Sequence, residues 1–295
     1  MTHASPPTTF LITGATDGIG EQTALDLARG DFGPRRLLLH GRSASRLAAT
    51  RARIGASAHA DVRVETVLAD LADLAQVRVL GDEIATRAPA LDVLINNAGV
   101  YVSTPETSVD GFELTFAVNY LAPFALTHHL LPCLGAGDRR GRIINVSSLT
   151  HHGATLDLDA LKPGPPRTSG YEAYAASKLA DVLFTVELAR RLDARPVDPP
   201  HSPPPTVNCL HPGIVSTKLL REGFAMRGPQ SLAEGAATSV YLATAADVAE
   251  TTGRYFIRSR ATSPDPAARD RSRCTALYEA TCEILAISGL PPSRP

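Results

Sequence analysis

Short apolar runs alternate with helix-patterned stretches along the chain, and nothing else in the sequence limits the fold so strongly. Strand-like runs occupy residues 10–12, 36–40, 62–67, 91–95, 142–146, 206–210 and 255–257. Between them, Ile19, Ala24, Leu25, Leu27 and Ala28 mark one helical face, and helical spacing returns at 45–56, 73–87, 111–135, 173–192 and 232–243. Parallel neighbours need a crossover, and a helix laid on the sheet supplies it with a right-handed sense. The expectation is an α/β, doubly wound sheet of seven parallel strands with helices on both faces, in a single domain over 1–295. Three stretches fall outside this alternation: an insert at 153–170, a proline-rich loop at 195–206, and a C-terminal extension at 259–295.

With 44% hydrophobic and 20% charged residues, the 295-residue chain can bury a sizeable core, which excludes disorder as its dominant state. Its 29 basic and 30 acidic residues leave no surplus for a polyphosphate backbone, so no nucleic-acid partner is expected. Cys133, Cys209, Cys274 and Cys282 are far apart and form no CxxC pair, which reads as reduced thiols and a cytoplasmic setting. The first residues lack the basic and apolar regions of a signal peptide, and none is expected. The most apolar window, 117–136, is interrupted by Asn119, Pro123, His128, His129 and Pro132. A buried helix is expected there, not a membrane span. No histidine pair has the HExxH spacing, and no metal is expected.

The first apolar run leads into Thr13-Gly14-Ala15-Thr16-Asp17-Gly18-Ile19-Gly20 and then a helix. Glycines at a strand-to-helix turn let the backbone approach a pyrophosphate, whose oxygens meet the N–H groups opening the helix. Three further motifs follow in order at strand ends or on a helix: Asn96-Asn97-Ala98-Gly99, Tyr174-Ala-Ala-Ser-Lys178 and His211-Pro212-Gly213. The turn, with its TGxxxGIG spacing, and these motifs together resemble the short-chain dehydrogenase/reductase family from about residue 10 to 257, with its Rossmann-type fold. Asn145-Val-Ser-Ser-Leu-Thr-His-His152, the segment 177–192 and Gly235-Ala-Ala-Thr-Ser239 resemble its retinol-dehydrogenase-like branch.

The resemblance implies an oxidoreductase that interconverts a carbonyl and an alcohol on a small lipophilic substrate, using NADP(H) rather than NAD(H). Gly14, Thr16, Asp17, Gly18, Ile19 and Gly20 would hold the cofactor's phosphates. Where NAD-preferring relatives carry Asp at the end of the second strand, this chain reads His40-Gly41-Arg42-Ser43, so Arg42 is expected at the 2′-phosphate; the same residue could also be a solvated helix-start arginine. Asp70, followed by Leu71, matches the residue that contacts adenine. Asn97, Ala98 and Gly99 match the turn under the adenosine half, and Pro212, Gly213, Val215 and Thr217 the segment that fixes the nicotinamide.

A catalytic tetrad of Asn119, Ser148, Tyr174 and Lys178 is implied. Tyrosine is a poor acid or base at neutral pH, and Lys178, one helical turn after Tyr174, is expected to lower its pKa. Tyr171 has Ala175 at the equivalent position and is set aside. Ser148 and Tyr174 are 26 residues apart, which puts the insert 153–170 beside the site either as a pocket wall or lid or as a longer surface loop. Family members often pair through helices equivalent to 111–135 and 173–192, so the resemblance admits a homodimer or homotetramer, unless the insert before Tyr174 obstructs that contact. Two other readings were weighed: a catalytically silent NADP(H)-binding regulatory protein, which would need neither Tyr174 nor Lys178, and a nucleotide-sugar epimerase, whose GxxGxxG turn Gly14, Gly18 and Gly20 do not fit.

Overall fold

The strands are β1 (Thr8–Ile12), β2 (Arg35–Gly41), β3 (Val62–Leu68), β4 (Val93–Asn96), β5 (Arg142–Val146), β6 (Thr206–His211), β7 (Tyr255–Ile257) and β8 (Arg260–Thr262), in the order β3-β2-β1-β4-β5-β6-β7-β8. The structure, a computed structural model, describes residues 6–194 and 203–291. Most of the proline-rich loop at 195–206 lies outside the described residues. The helices are α1 (Gly18–Arg29), α2 (Ala44–Gly55), α3 (Leu74–Arg87), α4 (Leu114–Phe116), α5 (Ala122–Leu130), α6 (Gly170–Asp193), α7 (Leu232–Thr244) and α8 (Arg271–Ile284).

Period-two alternation sends strand side chains into two cores. Leu11, Leu38, Leu94, Ile143 and Val207 join the layer that includes residues of α3, α5, α6 and α8. Phe10, Ile12, Leu37, Leu39, Val93, Ile95 and Leu210 join the layer that includes residues of α1, α2 and α7. Both faces are covered, which is why these strands read as continuous apolar runs without a polar side.

Two expectations need correction. The sheet has eight strands, not seven, and β8 is antiparallel to β7. The hairpin between them turns at Arg258 and Ser259, with φ of 48° and 57°. Two-residue hairpin turns of this kind favour Asn-Gly or Asp-Gly, so Arg-Ser carries no sequence signal for one. The helix expected at 111–135 runs only from α4 to α5, through a π-helical turn at Ala117–Leu121. Glu113 caps its start by accepting from the Phe116 amide, and the residues after Leu130 turn back toward the sheet, where Leu134 bridges Leu91.

The insert and the C-terminal extension are built into the fold. In the stretch 153–170, Leu161 is buried, the Gly164 amide donates to the Gly111 carbonyl, and Gly170 packs closely against Val102 and Ser103. α8 of the C-terminal extension lies on α5 and α6. Tyr278 is fully buried, its hydroxyl 2.8 Å from His128 Nε2, and Thr281 meets the Tyr120 hydroxyl at 2.9 Å.

Buried neutral histidines give the fold an acid limit. Burial pushes His40, His128 and His211 down to about 4, whereas an unfolded histidine titrates near 6.5. Between those values the unfolded chain binds protons that the native one does not, so stability is lost as pH falls. Each such histidine removes roughly 1.4 kcal/mol per pH unit once the pH is below about 6.5. Asp181, pushed the other way by burial, returns part of this. The melting temperature should be level above pH 7 and fall steeply between pH 6 and 4.5; a level or rising profile over that interval contradicts the assignment of these rings as buried and neutral.

Candidate active site

A cleft of about 810 Å³ opens at the carboxyl ends of the strands and spans the point between β1 and β4 where the strand order reverses. Open α/β sheets bind ligands at this place. A smaller cavity of about 370 Å³, reached from Phe10 and Asp92, has its arginines engaged: Arg140 with Glu250, Arg142 with the Leu242 and Ala245 carbonyls.

The glycine turn is fixed by contact. Gly14 has φ +65°, and a Cβ there would stand 2.8 Å from Ala98 Cα; at Gly20 it would stand 2.3 Å from both Asn97 Nδ2 and the Gly14 carbonyl. Thr13 Oγ1 accepts from the amides of Asn97 and Ala98 at 3.0 Å each, and Asn97 Nδ2 donates to the Thr13 carbonyl at 2.8 Å. Strands β1 and β4 are thereby locked at the switch point. His40 adds a third tie: its Nδ1 accepts from the Gly14 amide at 3.3 Å and its Nε2 lies 3.1 Å from the Ala69 carbonyl. The Nε2–H tautomer satisfies both, in keeping with the depressed pKa of the ring.

The cradle fits a dinucleotide. Asp17, the N-cap of α1, makes no side-chain capping bond, whereas the N-caps of α2, α3, α6, α7 and α8 all do. The amides opening α1 are left to an anion at the glycine turn. All of the expected cofactor residues line the cleft: the turn from Gly14 to Gly20 with Thr16, Asp17, Gly18 and Ile19, then Arg42, Asp70 and Leu71, then Asn97, Ala98 and Gly99, and finally Pro212, Gly213, Val215 and Thr217. Arg46, which the sequence reading passed over, joins Arg42 there and donates to the Thr16 carbonyl and to Asp17 Oδ2 at 2.9 Å. It lies in the first turn of α2, four residues after Arg42 in the loop before that helix.

At the other end of the cleft are Ser148, Tyr174 and Lys178. The Ser148 hydroxyl is near enough to the Tyr174 hydroxyl to pull its pKa down. Lys178 Nζ lies 6.0 Å from the Tyr174 ring centroid and donates to the Val146 carbonyl at 2.9 Å. Lys178 acts on Tyr174 in the expected direction, but burial outweighs it. Burial raises its pKa above the ordinary phenol value, against the pull of Lys178 and Ser148, and Asp181 adds to the rise.

Asn119 lies behind the cleft wall, not on it. The π-helical turn frees its side chain to accept from the Val100 amide at 2.8 Å and to donate to the Val100 carbonyl at 3.0 Å and Ser177 Oγ at 3.1 Å. A single wide turn of this kind often marks a functional position. His151 reaches from the serine loop to the extension: its Nδ1 lies 2.6 Å from the Ser148 carbonyl and its Nε2 accepts from the Asp265 amide at 3.1 Å. Tyr101 and Phe224 stack 4.2 Å apart and both meet Tyr174 edge-on. Exposed Leu149, Ile214 and Met226 extend this apolar rim.

A sequence model of the short-chain dehydrogenase family matches residues 8–228. The chain belongs to that family. It is 36% identical to retinol dehydrogenase 13 of Homo sapiens over 96% of this chain and 86% of that one, and 37% identical to polyprenol dehydrogenase of Mus musculus over 90% and 80%. It is thus an oxidoreductase of the retinol-dehydrogenase-like kind. Among solved structures, an uncharacterised protein from Mycobacterium paratuberculosis superposes with a TM-score of 0.76 at 29% identity, covering 97% of both chains. A short-chain dehydrogenase from Escherichia coli CFT073, solved with NADPH, gives 0.66 at 25% identity over 86% of this chain and 97% of that one. Members of this family bind a nicotinamide cofactor, in agreement with the cradle. Among the described residues no helix is long and apolar enough to cross a membrane.

Proposed function

We propose that this chain is an NADP(H)-dependent oxidoreductase that interconverts a ketone or aldehyde and an alcohol on a small lipophilic substrate, with Tyr174 as the acid–base residue. The observation that carries this reading is the convergence of Ser148, Tyr174 and Lys178 in the same cleft as an uncapped, glycine-lined helix start. When bound, the nicotinamide supplies or accepts the hydride. Ser148 holds the substrate oxygen by a hydrogen bond, and Tyr174 exchanges a proton with that oxygen. Lys178, anchored by the Val146 carbonyl, places a positive charge where a phenolate would form. Asn119 fixes the lysine's neighbourhood through Ser177 on the same helix. The aromatic and aliphatic rim favours an apolar substrate, as do relatives named for retinol and polyprenol.

The preference for NADP(H) rests on Arg42 and Arg46. The Asp17 partner of Arg46 is half exposed, and surface pairs of this kind are worth little, so the guanidinium can turn to a 2′-phosphate. In an Arg42→Ala/Arg46→Ala double variant the KM for NADPH should rise by roughly 30-fold, about 2 kcal/mol of charge-assisted hydrogen bonding. The KM for NADH should change by less than about threefold, because NADH lacks the group these side chains would meet. Equal changes for both cofactors would sink the NADP(H) assignment.

A further inference from the structure

One turn beyond Tyr174 on α6, Lys178 and Asp181 form a buried ion pair. Lys178 Nζ donates to Asp181 Oδ2 at 3.0 Å, and the two side chains are 6% and 5% exposed. Nothing in the acid–base reading above requires a carboxylate here. A buried ammonium is tolerable only beside a counter-charge, and α6 offers two sources: the Asp181 carboxylate, or Tyr174 as a phenolate. The other elements packed here bring titratable groups that do not compete. Tyr120, from the π-helical turn, is held well above the phenol range by burial, and burial pushes the Cys209 thiol of β6 up to about 12. Tyr101 meets the Tyr174 ring edge-on, and Ser148 brings a hydroxyl without charge.

We propose that Asp181 is a positioning residue that supplies the counter-charge to Lys178, so that Tyr174 stays a protonated hydroxyl at neutral pH and the site is set to donate a proton to a carbonyl rather than to take one from an alcohol. The inference rests on the reading of Tyr174 as the acid–base group, and it adds a direction to that reading. In the reductive step hydride reaches the carbonyl carbon, the carbonyl π pair moves onto oxygen, and that oxygen takes the proton as the Tyr174 O–H bond breaks. The phenolate left behind is then reprotonated from water. Burial raises Asp181 and Lys178 pulls it back, to about 6, so the carboxylate is charged at pH 7. Its negative charge is among the influences that raise Tyr174.

The test is a tyrosinate titration by ultraviolet absorbance on the full chain without cofactor, with the Tyr174→Phe titration subtracted to isolate the Tyr174 step. In Asp181→Asn, which keeps the shape and one acceptor, that step should move to lower pH by roughly one to two units. Asp181→Ser, a smaller neutral replacement, should move it the same way, and Asp181→Glu should restore the wild-type position. The rising limb of alcohol oxidation against pH should shift acid by a matching amount. A Tyr174 step that stays put, or moves to higher pH, in the folded neutral variants overturns the proposal. A step that moves while the pH–rate profile does not would uphold the charge coupling and overturn instead the acid–base role of Tyr174.

Discussion

Tyr174→Phe should lower turnover by roughly 10²- to 10⁴-fold, the contribution of one positioned proton donor, while leaving cofactor binding and folding close to wild type. The loss is confined to chemistry because the substitution removes one oxygen and keeps the ring. That ring packs edge-on against Tyr101 and Phe224 at centroid distances of 5.7 and 5.2 Å, and phenylalanine fills the same space. Lys178 keeps both of its partners, the Val146 carbonyl and Asp181, so no charge is orphaned. Ser148 loses the neighbouring hydroxyl but lines the open cleft and can turn to solvent. The check is steady-state turnover with a panel of lipophilic ketones and aldehydes, beside NADPH affinity by calorimetry. Turnover within about threefold of wild type would remove Tyr174 from the chemistry. Unchanged turnover with unchanged binding would also leave the cleft without an identified proton donor.

A chain ended at residue 263 should fail to reach a stable, soluble fold. The extension reads in sequence as an appendage, but Cys274, Leu277 and Tyr278 are at most 1% exposed, and each such side chain contributes about 1.5–3 kcal/mol by its burial. Their sum is comparable with the entire stability of an ordinary domain, about 5–15 kcal/mol. Removal also strips partners from polar groups that the extension covers: His128 Nε2 loses the Tyr278 hydroxyl, Tyr120 loses Thr281, and His151 Nε2 loses the Asp265 amide. The measurement is soluble yield together with a thermal melt by circular dichroism. A truncated chain that melts cooperatively within about 5 °C of the full one would show that α8 is an accessory.

How far the sequence carries depends on how local each signal is. The β–α alternation and the glycine turn are local, and β1 to β7 lie where the apolar runs put them. The turn's glycines have their reason in the backbone itself, at Gly14 with its positive φ and at Gly20 against Asn97. The tetrad is legible because its members sit at fixed places on that scaffold, two of them one turn apart on α6. Signals that depend on tertiary context were lost. Arg258-Ser259 turns a hairpin without the residues that favour one, so β8 was missed. The π-helical turn around Asn119 has no sequence period of its own and sits inside what reads as one uniform helix. Tyr278 carries no mark of its partner His128, 150 residues away, so the sequence shows the extension only as a stretch outside the alternation. His40 and Asp181 were visible as polar residues in apolar surroundings, and only their contacts give them meaning. For Tyr174, spacing reveals the lysine that lowers its pKa, but not the burial that outweighs it or the carboxylate that shares the lysine's charge.

The central claim is hydride transfer between a nicotinamide and a carbonyl in the cleft between the glycine turn and Tyr174. The most direct measurement is to incubate the full chain with NADPH carrying deuterium at the transferable position and a lipophilic ketone, and to analyse the product by mass spectrometry. The account predicts an alcohol bearing one deuterium on the carbinol carbon, formed by wild type and at least about a hundredfold more slowly by Tyr174→Phe. NADPH shown by calorimetry to be bound, with no deuterium passed to any carbonyl of a broad panel, would contradict it.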